Sequence, residues 1–117
     1  MKTYLAARYD RRKEMLKVAT KLRELGHSIT SRWINGSHTV ASALCAEEDL
    51  EDIRNSDTLI LFTDQPGSGG RHVEFGYALA LGLNIYVVGN RFPENIFQLL
   101  RVIHCCRPVD LFHKLTT

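Results

Sequence analysis

The stretch TLILFTDQPGSGGRHVEFGYALALGLNIYVV, residues 58–88, decides the fold. It opens with the five residues TLILF, passes through a loop carrying Gly67, Gly69 and Gly70, runs without a charge from Phe75 to Gly82, and closes on NIYVV. Uninterrupted apolar strands of this kind are buried on both faces, as in parallel sheets whose crossovers are helices. Strand, glycine-rich turn, apolar helix and strand therefore read as one βαβ unit.

The same alternation extends in both directions. Residues 2–7 (KTYLAA) predict a strand, after which Asp10 caps a helix with the apolar stripe Met15, Val18, Ala19, Leu22 and Leu25, closed by Gly26. A short strand over 28–33 leads into the loop NGSHT, and a helix over about 41–55 places Ala43, Ala46, Leu50 and Ile53 on one side. Towards the end, 93–100 reads as a helical turn or two, 102–105 as a fifth strand and 108–115 as a closing helix. The pattern predicts a single domain, 1–117: a three-layer α/β/α sandwich on a doubly wound, mostly parallel five-stranded sheet of flavodoxin or Rossmann-like type. In such sheets ligands bind beyond the carboxyl ends of the strands, so the loops after Ala7, Trp33 and Phe62 mark the expected site.

Composition narrows the function classes. At 117 residues, with 44% hydrophobic and 24% charged residues, the chain has the make-up of a globular protein with one core. A net charge of +2 gives no reason to expect nucleic acid as a partner. No apolar run approaches the roughly 20 residues of a membrane span, so no membrane partner is expected and the expected location is the cytoplasm. Cys45, Cys105 and Cys106 lack CxxC spacing, and the five histidines lack HxxxH or HExxH spacing, so neither a metal nor another cofactor is implied.

The chemistry concentrates at the strand-to-helix loop. Gly67, Gly69 and Gly70 leave backbone N–H groups uncovered beside a helix N-terminus, a setting that suits an anion, although the spacing matches neither GxxxxGK[ST] nor GxGxxG. Glu74, read as lying in the first turn of a helix buried on every face, is expected to be a confined, ionised carboxylate suited to nucleophilic attack. Arg11, Arg12 and Lys13 crowd the first turn of the first helix, with Arg8 before them; cations there oppose the helix dipole unless an anion is near. Asp49 flanks the stripe of its helix and is expected to be half buried, so that two carboxylates from two helices would face one cleft. Trp33 and His38 could stack on a base, against the alternative of a core tryptophan.

Three segments then carry a family likeness: TYLAAR (3–8), EDLEDIRNSDTLILF (48–62) and GGRHVEFGYALALGLNIYVVG (69–89), the last with an E-x-G-Y-A-x-A-x-G helix. On these the chain resembles the nucleoside 2-deoxyribosyltransferase superfamily, which includes base-exchanging transferases and 2′-deoxynucleoside 5′-monophosphate N-hydrolases. The resemblance implies that Glu74 is a nucleophile forming a covalent deoxyribosyl intermediate, that Tyr4 orients it, and that Asp49 binds the sugar or assists proton transfer. It gives Asp57 a strand-capping role. It also implies that Ser68, six residues before Glu74, binds a phosphate where the nucleoside transferases carry an acid. Gly67, Gly69, Gly70, Arg71, Arg8, Arg11, Arg12 and His72 would complete the substrate contacts, with Trp33 near the base. The loop ARYDRR departs from the glycine-bearing loop common in that family.

The expected activity is cleavage of the N-glycosidic bond of a 2′-deoxynucleoside or its 5′-monophosphate, by hydrolysis or transfer. The alternative is a non-catalytic module that binds a nucleotide or nucleotide signal in the same pocket. Gly76, Ala78, Ala80 and Gly82 would let a second helix approach closely, so a homodimer or larger homo-oligomer is expected.

Overall fold

The computed structural model describes residues 1–36, 42–65, 69–89 and 93–116. Strands β1 (Lys2–Ala6), β2 (Ser28–Ile29), β3 (Thr58–Phe62), β4 (Asn84–Val88) and β5 (Ile103–Cys106) form one sheet in the order β2-β1-β3-β4-β5. Every neighbouring pair is parallel. β3 and β4 occupy the predicted residues, and all five side chains of β3 are buried, as an interior strand covered on both faces requires.

The helices are α1 (Arg12–Glu24), α2 (Ala43–Arg54), α3 (Gly70–Ala80) and α4 (Leu111–Lys114). The step from β1 to β2 and the step from β3 to β4 run in opposite directions across the sheet. Right-handed crossovers therefore put α1 and α3 on opposite faces. α2 packs against α3, while Lys21 of α1 lies 5.0 Å from the ring of Phe112 on α4, which completes the α/β/α layering. Tyr4, Leu5, Leu59, Ile60, Leu61 and Ile85 form the centre of the core, each at most 1% exposed.

Local departures from the expected elements have identifiable causes. The second strand stops at Ile29 because side chains take over its ladder: the Leu5 N–H donates to Ser31 Oγ (3.2 Å) and the Trp33 indole Nε1–H donates to the Leu5 carbonyl (2.8 Å). Residues Arg32–Asn35 then coil into a 3₁₀ turn. Asp10 does not cap α1; it pairs with Arg8 at 2.7 Å within a preceding 3₁₀ turn, Tyr9–Arg11. α2 starts at Ala43 with Ser42 as its cap, the Cys45 N–H donating to Ser42 Oγ. Asp57 does hold the strand start, accepting the Lys2 N–H on both oxygens at 3.1 Å and the Thr58 hydroxyl at 2.8 Å.

α3 differs most from its reading. It begins four residues before Glu74, and its buried residues are Arg71, Phe75 and Ala78. Val73 is 65% exposed, so the helix is not buried on every face. Beyond β4, Gly89 lies so close to β3 that a Cβ there would overlap Thr63 Oγ1 and sit 3.2 Å from the Thr63 carbonyl carbon. Only a glycine lets these two strand ends meet at the carboxyl edge of the sheet.

Candidate active site

Sheet order reverses between β1 and β3, and there a cavity of about 350 Å³ opens. Ala7 and Tyr9 line it from the segment after β1, Gly70, Arg71, Val73 and Glu74 from α3, Ala46, Asp49 and Leu50 from α2, and Trp33 from the turn after β2. The fold thus brings together four of the anticipated side chains, Glu74, Asp49, Arg71 and Trp33. Tyr4, fully buried on β1, reaches the same wall through its hydroxyl, which donates to Glu74 Oε2.

The electrostatics of this group follow first from burial, with the helix start offering little to offset it. With Gly70 as the first helical residue, Glu74 lies in the second turn, past the free N–H groups that would stabilise an anion. Loss of water around the carboxyl is the largest influence and pushes its pKa up; the Tyr4 hydrogen bond pulls it back, and the negative charge of Asp49 raises it again, to about 8. The expectation of an ionised Glu74 is thereby corrected: burial favours its protonated form at neutral pH. Tyr4 is itself raised far above the ordinary phenol value, by burial first and then by the charges of Glu74, Asp49 and Asp52. Tyr4 is a hydrogen-bond donor here and not a proton source.

The arginines are placed differently from one another. Arg11, only 6% exposed, donates from Nη1 and Nη2 to Asp64 (2.7 and 3.0 Å) and from Nε and Nη2 to Glu14 (2.9 and 2.8 Å), with Phe62 beneath it at 5.6 Å. It latches the segment after β3 to the head of α1, which is why a cation is tolerated at that helix start. Arg12 donates to the Ile34 carbonyl at 3.3 Å, and Arg8 pairs with Asp10; neither lines the cavity. Arg71, 2% exposed, donates to the Phe62 carbonyl and reaches Glu94 at 3.5 Å, while its Nε has no hydrogen-bond partner among the described residues. His72 faces Asn95, at 3.5 Å, and not the cavity. Gly69 is the residue before α3 and Gly70 lines the cavity, whereas Gly67, Ser68 and His38 lie outside the described residues.

Tyr9 lines the cavity with its ring 6.1 Å from that of Trp33, at 46°. The sequence reading passed over it; its signal was its position two residues beyond Ala7, at the carboxyl end of β1. Among the described residues no group of three or more His, Cys, Asp or Glu could hold a metal ion, and no helix is long and apolar enough to cross a membrane.

No family profile matches the chain, and no curated protein does. Among solved structures it is similar to the CMP N-glycosidase BcmB of Clostridium botulinum, at 23% identity and TM-score 0.75, over 98% of each chain. It is also similar to a 2-deoxyribosyltransferase from the psychrotolerant bacterium Bacillus psychrosaccharolyticus, at 20% identity and TM-score 0.75, over 100% of this chain and 91% of that one. Across nearly its whole length the chain thus has the fold of an N-glycosidase acting on CMP and of a 2-deoxyribosyltransferase.

Proposed function

We propose that the protein is an enzyme of the nucleoside 2-deoxyribosyltransferase superfamily that cleaves the N-glycosidic bond of 2′-deoxynucleosides or their 5′-monophosphates. The observation that carries this reading is the Tyr4–Glu74 hydrogen bond beside Asp49 in the wall of a cavity at the switch point. In the reaction, the ionised Glu74 attacks C1′; a bond forms from Glu74 to C1′ as the C1′–N bond breaks, and the base departs with the electron pair and takes up a proton. The transition state is oxocarbenium-like, so the cost of ionising a desolvated carboxylate is offset as positive charge grows on the sugar. Tyr4 fixes which carboxylate oxygen faces C1′, and Asp49 orients the sugar or carries the proton. Water, or a second base, then takes the sugar from Glu74. The shared fold of an N-glycosidase and a deoxyribosyltransferase supports hydrolysis and transfer alike.

For the substrate, Tyr9 and Trp33 offer aromatic surface to a base, and Gly70 and the cation Arg71 border the cavity where a 5′-phosphate would lie, with Ser68 as a further phosphate contact. Arg11, Arg12 and Arg8 act on this reading by holding the surrounding segments in place and by their charge. The test is to incubate the protein with deoxynucleosides, their 5′-monophosphates and CMP, with and without an acceptor base, and to follow free base by chromatography. Base release from monophosphates is expected; tight binding of nucleotide without turnover over hours would instead establish the non-catalytic alternative.

The side of α3 at Gly76, where among the described residues nothing beyond the helix's own backbone lies within 4 Å of a Cβ position, supports self-association through this helix. Sedimentation velocity is expected to show a dimer or larger species; a monomer at micromolar concentration refutes it.

A further inference from the structure

Three consecutive residues after β2 behave as a bracket. Ser31 and Trp33 grip the edge of β1 at Leu5, as described above, while the residue between them turns to the opposite side and grips α2. Arg32 donates its backbone N–H to Asp52 Oδ2 at 3.0 Å and its Nε–H to Asp52 Oδ1 at 2.8 Å, with Nη2 also 2.8 Å from that oxygen. Nη2 further donates to Glu51 at 3.0 Å. Asp52 is only 4% exposed, whereas the Arg32 side chain is 49% exposed. An exposed arginine thus pairs with a buried carboxylate, its side chain holding Oδ1 while its backbone N–H holds Oδ2, so that both oxygens are fixed in direction as well as distance.

What the bracket joins is the site. Its β1 end is Leu5, next to Tyr4; Trp33 is a wall of the cavity; and Asp52 lies one helical turn beyond Asp49, on the same side of α2. Resting on the proposed glycosidic reaction, we infer that Arg32 and Asp52 are positioning residues, which set where Asp49 and Trp33 stand relative to the Tyr4–Glu74 pair. Neither lines the cavity. Asp52 is nevertheless near enough for its charge to act on Tyr4, so the pairing with Arg32 also bears on the environment of that hydroxyl.

The inference separates from a merely structural role in a double-mutant cycle. Arg32→Ala is expected to lower kcat by about 10- to 100-fold, the scale on which a small misplacement of a reacting group acts. In an Asp49→Asn background the same change is expected to cost clearly less than in the wild type, because one of the two groups it positions is already disabled. Arg32→Lys, which keeps the charge and loses the directional Nε–H donor, is expected to fall between wild type and Arg32→Ala, and serves if Arg32→Ala does not fold. The second readout is acrylamide quenching of Trp33, the single tryptophan of the chain, expected to rise severalfold in Arg32→Ala. Costs that multiply across the cycle overturn the inference whatever the fluorescence shows. If the wild-type protein releases no base, the proposed reaction fails by itself; quenching alone then judges the bracket, and an unchanged signal sinks it.

Discussion

Glu74→Gln is expected to lower base release by roughly 10³-fold or more, since it removes the nucleophile and leaves the shape of the site nearly unchanged. The same substitution is expected to stabilise the fold at alkaline pH. In the folded protein Glu74 keeps its proton up to about pH 8, while in the unfolded chain it titrates near its ordinary value of 4.5. The contribution of its neutral, buried form is fully present below pH 4.5 and is lost progressively as pH rises towards 8, because the unfolded chain gains by ionising first. A shift of this size corresponds to a few kcal/mol by linkage. Glutamine does not titrate, so the variant should melt close to wild type at pH 4.5 and well above it at pH 8.5. Thermal melts at the two values decide the matter, and a difference between the proteins that does not change with pH would contradict a buried, proton-holding Glu74.

The second large effect is a pair of opposite shifts in the pH profile. If Glu74 reacts as its anion, kcat/KM of the wild type should climb with pH through about 8. Tyr4 donates the hydrogen bond that favours the anion, so Tyr4→Phe should move this limb to higher pH and depress activity at pH 7 by about 10- to 100-fold. Asp49 opposes the anion by like-charge repulsion, so Asp49→Asn should move the limb to lower pH even as it reduces the maximal rate. Profiles that move in the same direction in the two variants would remove the assignment of the limb to Glu74. Opposite movement is hard to obtain from any other residue, because these two neighbours act on Glu74 with opposite sign.

Much of the architecture was legible because burial writes itself into strands. After their first residues, Thr58 and Asn84, TLILF and NIYVV carry no charged or strongly polar side chain, and β3 and β4 fall on those residues with no shift. The second strand was overextended because SITSRW has the composition of a strand, and nothing local reveals that Ser31 and Trp33 satisfy Leu5 with their side chains. Glu74 stood out at the sequence level through its apolar surroundings, but its charge state did not, since that depends on burial and on Tyr4 and Asp49, which only the fold brings beside it. The partner of Arg11, named at the sequence level only as a substrate contact, and the burial of Asp52 were hidden for a related reason. A charge beside polar neighbours reads as solvated, and only the fold shows that Asp64, 53 residues away, and Arg32, 20 residues away, bury them.

Asp57 sits at the other end of the sheet from the cavity. Its carboxylate accepts the Lys2 N–H, its own N–H donates to the Lys2 carbonyl and its carbonyl accepts the Asn84 N–H, so one residue ties β1, β3 and β4 at their starts. Burial alone would raise its pKa, yet the Lys2 and Thr58 hydrogen bonds outweigh that and hold it below the usual carboxylate range. Register is therefore anchored at the pole remote from chemistry. The loops at the opposite pole can therefore change in sequence without loosening the frame that carries them.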